Sequence, residues 1–178
     1  EILRCLVGSE MCIRDRFKGT VEENLKMAKP DATKEEMEAV LQKVNLLGFL
    51  QTQDGLQTQL LEKASNLSGG QCQRLVIARA LLRTDSAVYI FDEAASNIDV
   101  ESEELIMNVI HELAKTKTVL LISHRLANVV KSDKIYFLKD GEIKESGKHV
   151  ELMSQNGAYR HLYESQMALE NYGKGGMA

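Results

Sequence analysis

The spacing of hydrophobic and polar residues predicts helices in the first half of the chain. Over residues 33–44 apolar side chains recur every three or four positions, as on one face of a helix. Thr33 and Glu36 have the spacing of a capping box at the start of that helix. A second helix is predicted over residues 73–82, so a helical region is expected over about residues 20–85.

The second half alternates between short apolar runs and helical spacing. The runs Val88–Phe91 and Thr118–Ile122 predict strands that are buried on both faces, as in a parallel sheet. Between them, Asp99 is placed to cap a helix from Val100 to about Ala114. Because strands that alternate with helices form α/β folds, we predict that fold class, with the sheet core over about residues 86–170.

A tight hairpin is predicted further along the chain. The residues Lys139-Asp140-Gly141 separate two β-prone segments, and Asp-Gly is common in two-residue hairpin turns. The run Gly141–His149 resembles a phosphate-binding loop, but it has five residues between its glycines where that motif has four. We therefore interpret it as part of a hairpin.

Charged side chains follow both predicted strands. Asp92 and Glu93 end the first strand, and His124 follows the second by two residues. The carboxyl ends of parallel strands share one edge of a sheet, where α/β proteins bind ligands. We therefore expect Asp92 to hold Mg²⁺, Glu93 to polarise an attacking water as general base, and His124 to sense a phosphate. The alternative is a solvated acidic turn with a structural histidine.

A second candidate site is the run Leu67-Ser68-Gly69-Gly70-Gln71. Ser68 can cap the helix that follows, with Gln71 at the third helical position. The two glycines leave the first backbone N–H groups uncovered, and a helix N-terminus favours an anion. The run therefore predicts a phosphate-binding helix tip, although an ordinary capped helix has the same local pattern.

Together these motifs resemble those of the nucleotide-binding domain of an exporter-type ABC transporter. The resemblance lies in the signature segment Leu67–Gln71, the Walker B-like Val88–Glu93, the D-loop-like Ser96–Asp99 and the switch-like His124. It covers roughly Phe17–Leu169. It implies a P-loop NTPase (RecA-like) core with a parallel sheet, joined to an α-helical signature subdomain.

The resemblance also implies ligands, partners and a function. ATP and Mg²⁺ would bind in a head-to-tail dimer with a second nucleotide-binding domain, attached to a transmembrane domain at the cytoplasmic face of the plasma membrane. Each signature segment would close over ATP held by the other subunit, Asp99 would cross the dimer interface, and Glu93 and His124 would be catalytic. The intact protein would be an ATPase that powers export. The nucleotide-binding residues would be Leu67, Ser68, Gly69, Gly70, Gln71 and Asp99.

The chain departs from the family pattern at its beginning. Residues 1–16 have neither strand nor helix periodicity, and the Gly-x-x-x-x-Gly-Lys-Ser/Thr loop (Walker A) and the glutamine loop are absent. We interpret residues 1–16 as a non-native or disordered leader before a partial, N-terminally truncated domain over 17–170, with a disordered tail over 171–178. Genomic DNA that reads continuously through the leader codons would refute this. A chain without the phosphate loop is not expected to hydrolyse ATP alone.

Composition narrows the alternatives. A formal net charge of −4 over 178 residues gives no basic surface for nucleic acid, so no nucleic-acid partner is predicted. Three cysteines without metal spacing do not suggest a disulfide framework. Two alternatives remain: a soluble ABC-type ATPase that acts as a mechanical switch on ribosomes or DNA, and a non-catalytic fragment. The transported substrate is not encoded here.

Overall fold

A computed structural model describes residues 18–95 and 98–175 of the chain. Contacts divide the chain into a first unit that ends at Ile122 and a second that begins at Ser123. The predicted leader, Ser96 and Asn97 of the D-loop-like segment, and residues 176–178 of the predicted tail lie outside the described residues.

The first unit opens with capped helices. The short strands β1 (Gly19–Thr20) and β2 (Gln59–Leu60) pair in antiparallel fashion. Three helices lie between them in the chain: α1 (Val21–Lys26), α2 (Lys34–Lys43) and α3 (Leu47–Gln51). At the predicted capping box, Glu36 N–H donates to Thr33 Oγ1 at 3.2 Å and Thr33 N–H donates to Glu36 Oε2 at 3.0 Å. Thr20 and Glu23 form an equivalent box on α1.

Two longer helices complete this unit. The helix α4 spans Gly69–Leu82, and α5 spans Val100–Ala114, directly after Asp99 as predicted. The helix α4 packs against α2 and α5. Its residues Leu75, Ala78 and Leu82 are buried, in agreement with the predicted face. The helices and the strands that follow them share one hydrophobic core.

The strands β3 (Val88–Asp92) and β4 (Thr118–Ile122) pair in parallel, with Asp92 opposite Ile122. The predicted parallel α/β arrangement is therefore confirmed. Tyr89 and Phe91 point into the core, but Val88, Leu120 and Ile122 are 46%, 49% and 44% exposed. The prediction of burial on both faces is thus wrong for this chain, because successive side chains of a strand point to opposite faces and the core of the unit covers only one of them.

The second unit contains the predicted hairpin and two helices. Asp140 and Gly141 have φ angles of 54° and 77°, the left-handed values that a tight two-residue turn needs. The last helix continues into the predicted disordered tail, because no proline or glycine interrupts the sequence between Ala158 and Tyr172. The bounds are β5 Ile135–Lys139, β6 Glu142–Gly147, α6 His149–Ser154 and α7 Ala158–Gly175, after a 3₁₀ turn over Leu126–Val129.

None of the helices within residues 18–95 and 98–175 is both long and apolar enough to cross a membrane.

Candidate functional site

The signature segment forms the capped and exposed start of α4. Gln71 N–H donates to Ser68 Oγ at 3.2 Å, and Ser68 N–H donates to Gln71 Oε1 at 2.9 Å. Ser68 and Gly69 are exposed, whereas Leu67 packs against the hydrophobic core and Cys72 is buried behind them. The Ser68 cap adds no charge, and the exposed tip at Ser68 and Gly69 lies at the positive end of the helix dipole, which is suited to an anion.

The two glycines of this segment have different surroundings. A side chain at Gly69 would meet no atom within 4 Å. At Gly70, a Cβ would overlap Ser102 Oγ and would lie 2.9 Å from Ser102 Cβ and 3.2 Å from Asp99 Oδ2. Gly70 therefore allows α4 to pack closely on the start of α5, while Gly69 leaves the tip open to solvent.

Asp99 is the N-cap of α5 and lies beside the signature segment. Ser102 N–H donates to Asp99 Oδ1 at 2.8 Å. This backbone bond, followed by the Ser102 hydroxyl and with a smaller contribution from the nearby charge of Arg74, lowers the pKa of the Asp99 carboxyl. Asp99 thus combines the predicted capping role with a position next to Gly70.

Asp92 and Glu93 lie at the carboxyl end of the parallel pair. Asp92 is the last residue of β3, and Glu93 N–H donates to the Ile122 carbonyl at the end of β4, at 2.9 Å. Glu93 has a φ of 51°, which a residue with a side chain rarely adopts. Backbone strain of this kind is concentrated at functional sites, where the surrounding structure holds it in place.

His124 belongs to the second unit. Ser123 forms a local turn with Arg125, in which Arg125 N–H donates to Ser123 Oγ and Ser123 Oγ–H donates to the Arg125 carbonyl, both at 3.0 Å. The amide of Gln166 on α7 bonds to the His124 carbonyl. The structure therefore brings Asp99 to the signature segment and puts Asp92 and Glu93 at one strand end. A site that combines these residues with His124 stays a prediction.

The donor set at the end of β3 is compatible with Mg²⁺ bound beside a nucleotide. Within the described ranges there is no group of three or more His, Cys, Asp or Glu side chains that could hold a metal ion. Nucleotide-bound Mg²⁺ needs no such group, because it takes one or two carboxylates and completes its octahedron with phosphate oxygens and water. Asp92 fits that role as a single protein ligand.

The sequence did not predict the roles of Ser102 and Gln166 or the backbone conformation of Glu93. Ser102 contacts both Gly70 and Asp99. It is the third residue of α5 after the N-cap Asp99, the position whose N–H bonds to an N-cap side chain, so its bond to Asp99 could have been predicted from the sequence. Gln166 has no motif around it in the sequence, and the backbone groups that it bonds lie 40 and 42 positions away. The left-handed conformation of Glu93 has no signal in the sequence, because glutamate is not a residue that favours it.

Comparisons with known proteins agree with the motifs. The sequence profile of the ABC transporter family matches residues 7–96. An uncharacterized ABC transporter ATP-binding protein of Haemophilus influenzae is 53% identical over 154 residues, which make up 86% of this chain and 27% of that protein. An ATP-dependent lipid A-core flippase of Mannheimia succiniciproducens is 44% identical over 152 residues, covering 84% of this chain and 26% of the flippase.

Among solved structures, a bacterial Atm1-family ABC exporter with ATP bound superimposes with a TM-score of 0.77 at 30% identity, covering 84% of this chain and 26% of that chain. The chain therefore spans about a quarter of the length of the relatives it matches. The profile match begins at residue 7, inside the segment interpreted as a leader, which lies outside the described residues. With its profile match, its relatives and its fold in agreement, the chain belongs to the ABC transporter family.

Proposed function

We propose that this chain is part of an ATP-hydrolysing domain that powers export across a membrane. The observation that carries the proposal is the start of α4, where Ser68 and Gly69 are exposed and Gly70 is seated against Asp99 and Ser102. An exposed helix tip with an uncharged cap is suited to the γ-phosphate of ATP. Because the tip faces solvent, a nucleotide held by a second subunit could reach it, as a head-to-tail dimer requires.

The end of β3 would supply the hydrolytic groups of the other half of the site. Asp92 would hold Mg²⁺, which neutralises charge on the phosphates when bound. Glu93 would orient and polarise the attacking water as general base, and its left-handed backbone would aim the carboxylate away from the line of the strand. His124 would hydrogen-bond the γ-phosphate and respond to its loss.

The first unit also carries apolar surface that fits a transmembrane partner. Met27, just after α1, is 45% exposed, and Leu61, just after β2, is 53% exposed. We propose that they face the cytoplasmic ends of a transmembrane domain, which would place this chain at the cytoplasmic face of the plasma membrane.

A chimeric protein tests the proposal. The 154 aligned residues of the H. influenzae relative are replaced by those of this chain, and ATP hydrolysis is measured in reconstituted vesicles. We expect steady-state hydrolysis that Glu93→Gln lowers at least about a hundredfold, as loss of a general base does. Glu112→Gln on the exposed far end of α5 is the control, and its rate should not change. Equal rates for the Glu93 variant and the parent would refute the role of Glu93.

The chain alone provides a second test. Without a phosphate loop, the purified 178-residue chain should show no ATP hydrolysis above its own Glu93→Gln variant. Hydrolysis by the isolated chain that depends on Glu93 would contradict this prediction.

A further inference from the structure

The side-chain amide of Gln166 bridges the backbone on both sides of Arg125. Gln166 Nε2–H donates to the His124 carbonyl at 2.7 Å, and Leu126 N–H donates to Gln166 Oε1 at 2.9 Å. The two contacts fix the orientation of the amide, because a flipped amide would place like groups against each other. The side chain of Gln166 on α7 therefore connects this helix to the segment that carries His124.

Further hydrogen bonds within this segment are local. The Ser123 hydroxyl bonds to the backbone of Arg125, and Asn128 N–H donates to the Arg125 carbonyl at 3.1 Å. Bonds of this kind shape the turn, but they do not fix it relative to another element. The bonds to Gln166 connect residues about 40 positions apart and tie the turn to α7.

The start of α7 is firmly anchored, so Gln166 has a rigid base. Ala158 N–H donates to Glu145 Oε1 at 2.6 Å, which places a carboxylate at the helix N-terminus. Tyr159 is fully buried and its hydroxyl lies 2.8 Å from His149 Nδ1. Gln166 follows Tyr159 by seven residues, which is two helical turns, so both lie on the same face of α7.

We propose that Gln166 is a positioning residue for His124, and that α7 thereby determines the position of the His124 imidazole. The inference rests on the proposed role of His124 at the γ-phosphate. Both Gln166 bonds are to backbone groups, so Gln166 acts through the turn and takes no part in the chemistry. A shift of the turn by about 1 Å can lower a rate by up to about a hundredfold.

The first experiment measures the turn in the full 178-residue chain by NMR. Gln166→Ala removes both bonds, so the Leu126 amide should exchange with solvent at least about tenfold faster and the His124 ring signals should move. Gln166→Glu keeps the acceptor for Leu126 but loses the donor to His124. We therefore expect it to leave Leu126 protected while the His124 signals still move.

Gln155→Ala is the matched control, because this exposed glutamine at the end of α6 is in the same unit. It should change neither the exchange of Leu126 nor the His124 signals. If Gln166→Ala prevents the second unit from folding, Gln166→Glu, with its unchanged size, decides the question. Unchanged Leu126 exchange and His124 signals in a folded Gln166→Ala chain would overturn the inference.

The second experiment separates this inference from the proposed function. In the chimeric protein, Gln166→Ala should lower kcat about tenfold and leave KM for ATP within about twofold, because binding groups are intact. His124→Ala should lower kcat at least as much, and the double variant should be no slower than His124→Ala. If His124→Ala has no effect, the proposed role of His124 fails. If His124→Ala is slow and Gln166→Ala is not, the positioning role fails.

Discussion

The N-termini of α4 and α5 lie side by side but differ in charge. The helix α4 is capped by the neutral side chain of Ser68, while α5 is capped by the carboxylate of Asp99. A helix N-terminus attracts one negative charge strongly, and at α5 that charge is already supplied by the protein. At α4 the cap itself adds no charge. The phosphate site that we propose at the α4 tip therefore depends on an uncharged cap.

The largest effect is expected on ATP hydrolysis, when the cap of α4 is made negatively charged like the cap of α5. Ser68→Asp keeps a good N-cap, so the stability of the chain should change by less than about 0.5 kcal/mol. In the chimeric protein the new carboxylate would face the γ-phosphate. Since like charges in contact disfavour binding by several kcal/mol, ATP hydrolysis should fall at least about a hundredfold.

Ser68→Asn is the control for this substitution, because asparagine has the shape of aspartate and caps helices equally well without the charge. It should retain much more activity than Ser68→Asp in the same vesicles. Equal losses in the two variants would mean that the charge of the cap is not what matters.

The next largest effect is on the free energy of unfolding, which should differ between substitutions at Gly69 and Gly70. Gly70→Ala places a methyl group against Ser102 and Asp99, and overpacking of this kind should lower the free energy of unfolding by about 1–3 kcal/mol. Gly69→Ala meets no neighbour and should be neutral or stabilising by up to about 1 kcal/mol, because alanine favours the helix. Urea unfolding of the full chain measures both values. Similar losses for both variants would contradict the close packing of α4 on α5.

The smallest effect is a difference in pH dependence between the two caps. The bond from Ser102 N–H lowers the pKa of the Asp99 carboxyl below its ordinary value in the folded chain. Its stabilisation is therefore complete above the unfolded pKa and is lost as the pH falls through the lower, folded pKa. The Ser68 cap does not titrate. Asp99→Asn should reduce the loss of stability on acidification below about pH 4, while Ser68→Ala should leave it unchanged.

Thermal unfolding of the parent chain and both variants between pH 6 and about pH 3 tests this difference. Glu22, Glu35 and Glu36 also have lowered pKa values, so part of the acid sensitivity should remain in every variant. If the Asp99→Asn chain loses as much thermal stability on acidification as the parent chain, the Asp99 cap does not contribute to the acid sensitivity.

Local features of the sequence predicted much of this structure. The capping boxes at Thr33 and Ser68, the Asp99 cap and the Asp140-Gly141 turn depend on residues at most three positions apart, and all are present. Such motifs satisfy backbone groups within one turn, so they need no information about the rest of the fold. The same holds for the amphipathic helices, whose spacing alone identifies the buried face.

Features that depend on distant parts of the chain were missed. The exposure of Leu120 follows from what covers the sheet, which no residue of β4 encodes. The fit of Gly70 against Ser102 joins residues 32 positions apart, and the bond from Gln166 to the His124 carbonyl joins residues 42 apart. The identities of these residues are visible in the sequence, but their partners are set by tertiary packing. The positive φ of Glu93 likewise depends on its bond to the end of β4.

Mixed dimers of the chimeric protein reveal whether the α4 tip of one subunit acts on the nucleotide of another, as we propose. Ser68→Asp and Glu93→Gln subunits carry different affinity tags, and tandem purification yields dimers with one of each. In a head-to-tail dimer, one of the two sites then combines the intact tip of one subunit with the intact Glu93 of the other. We therefore expect about half the parent ATPase rate from two variants that are each inactive alone. Mixed dimers as inactive as either variant would show that the tip and Glu93 serve the same subunit, and would contradict the account.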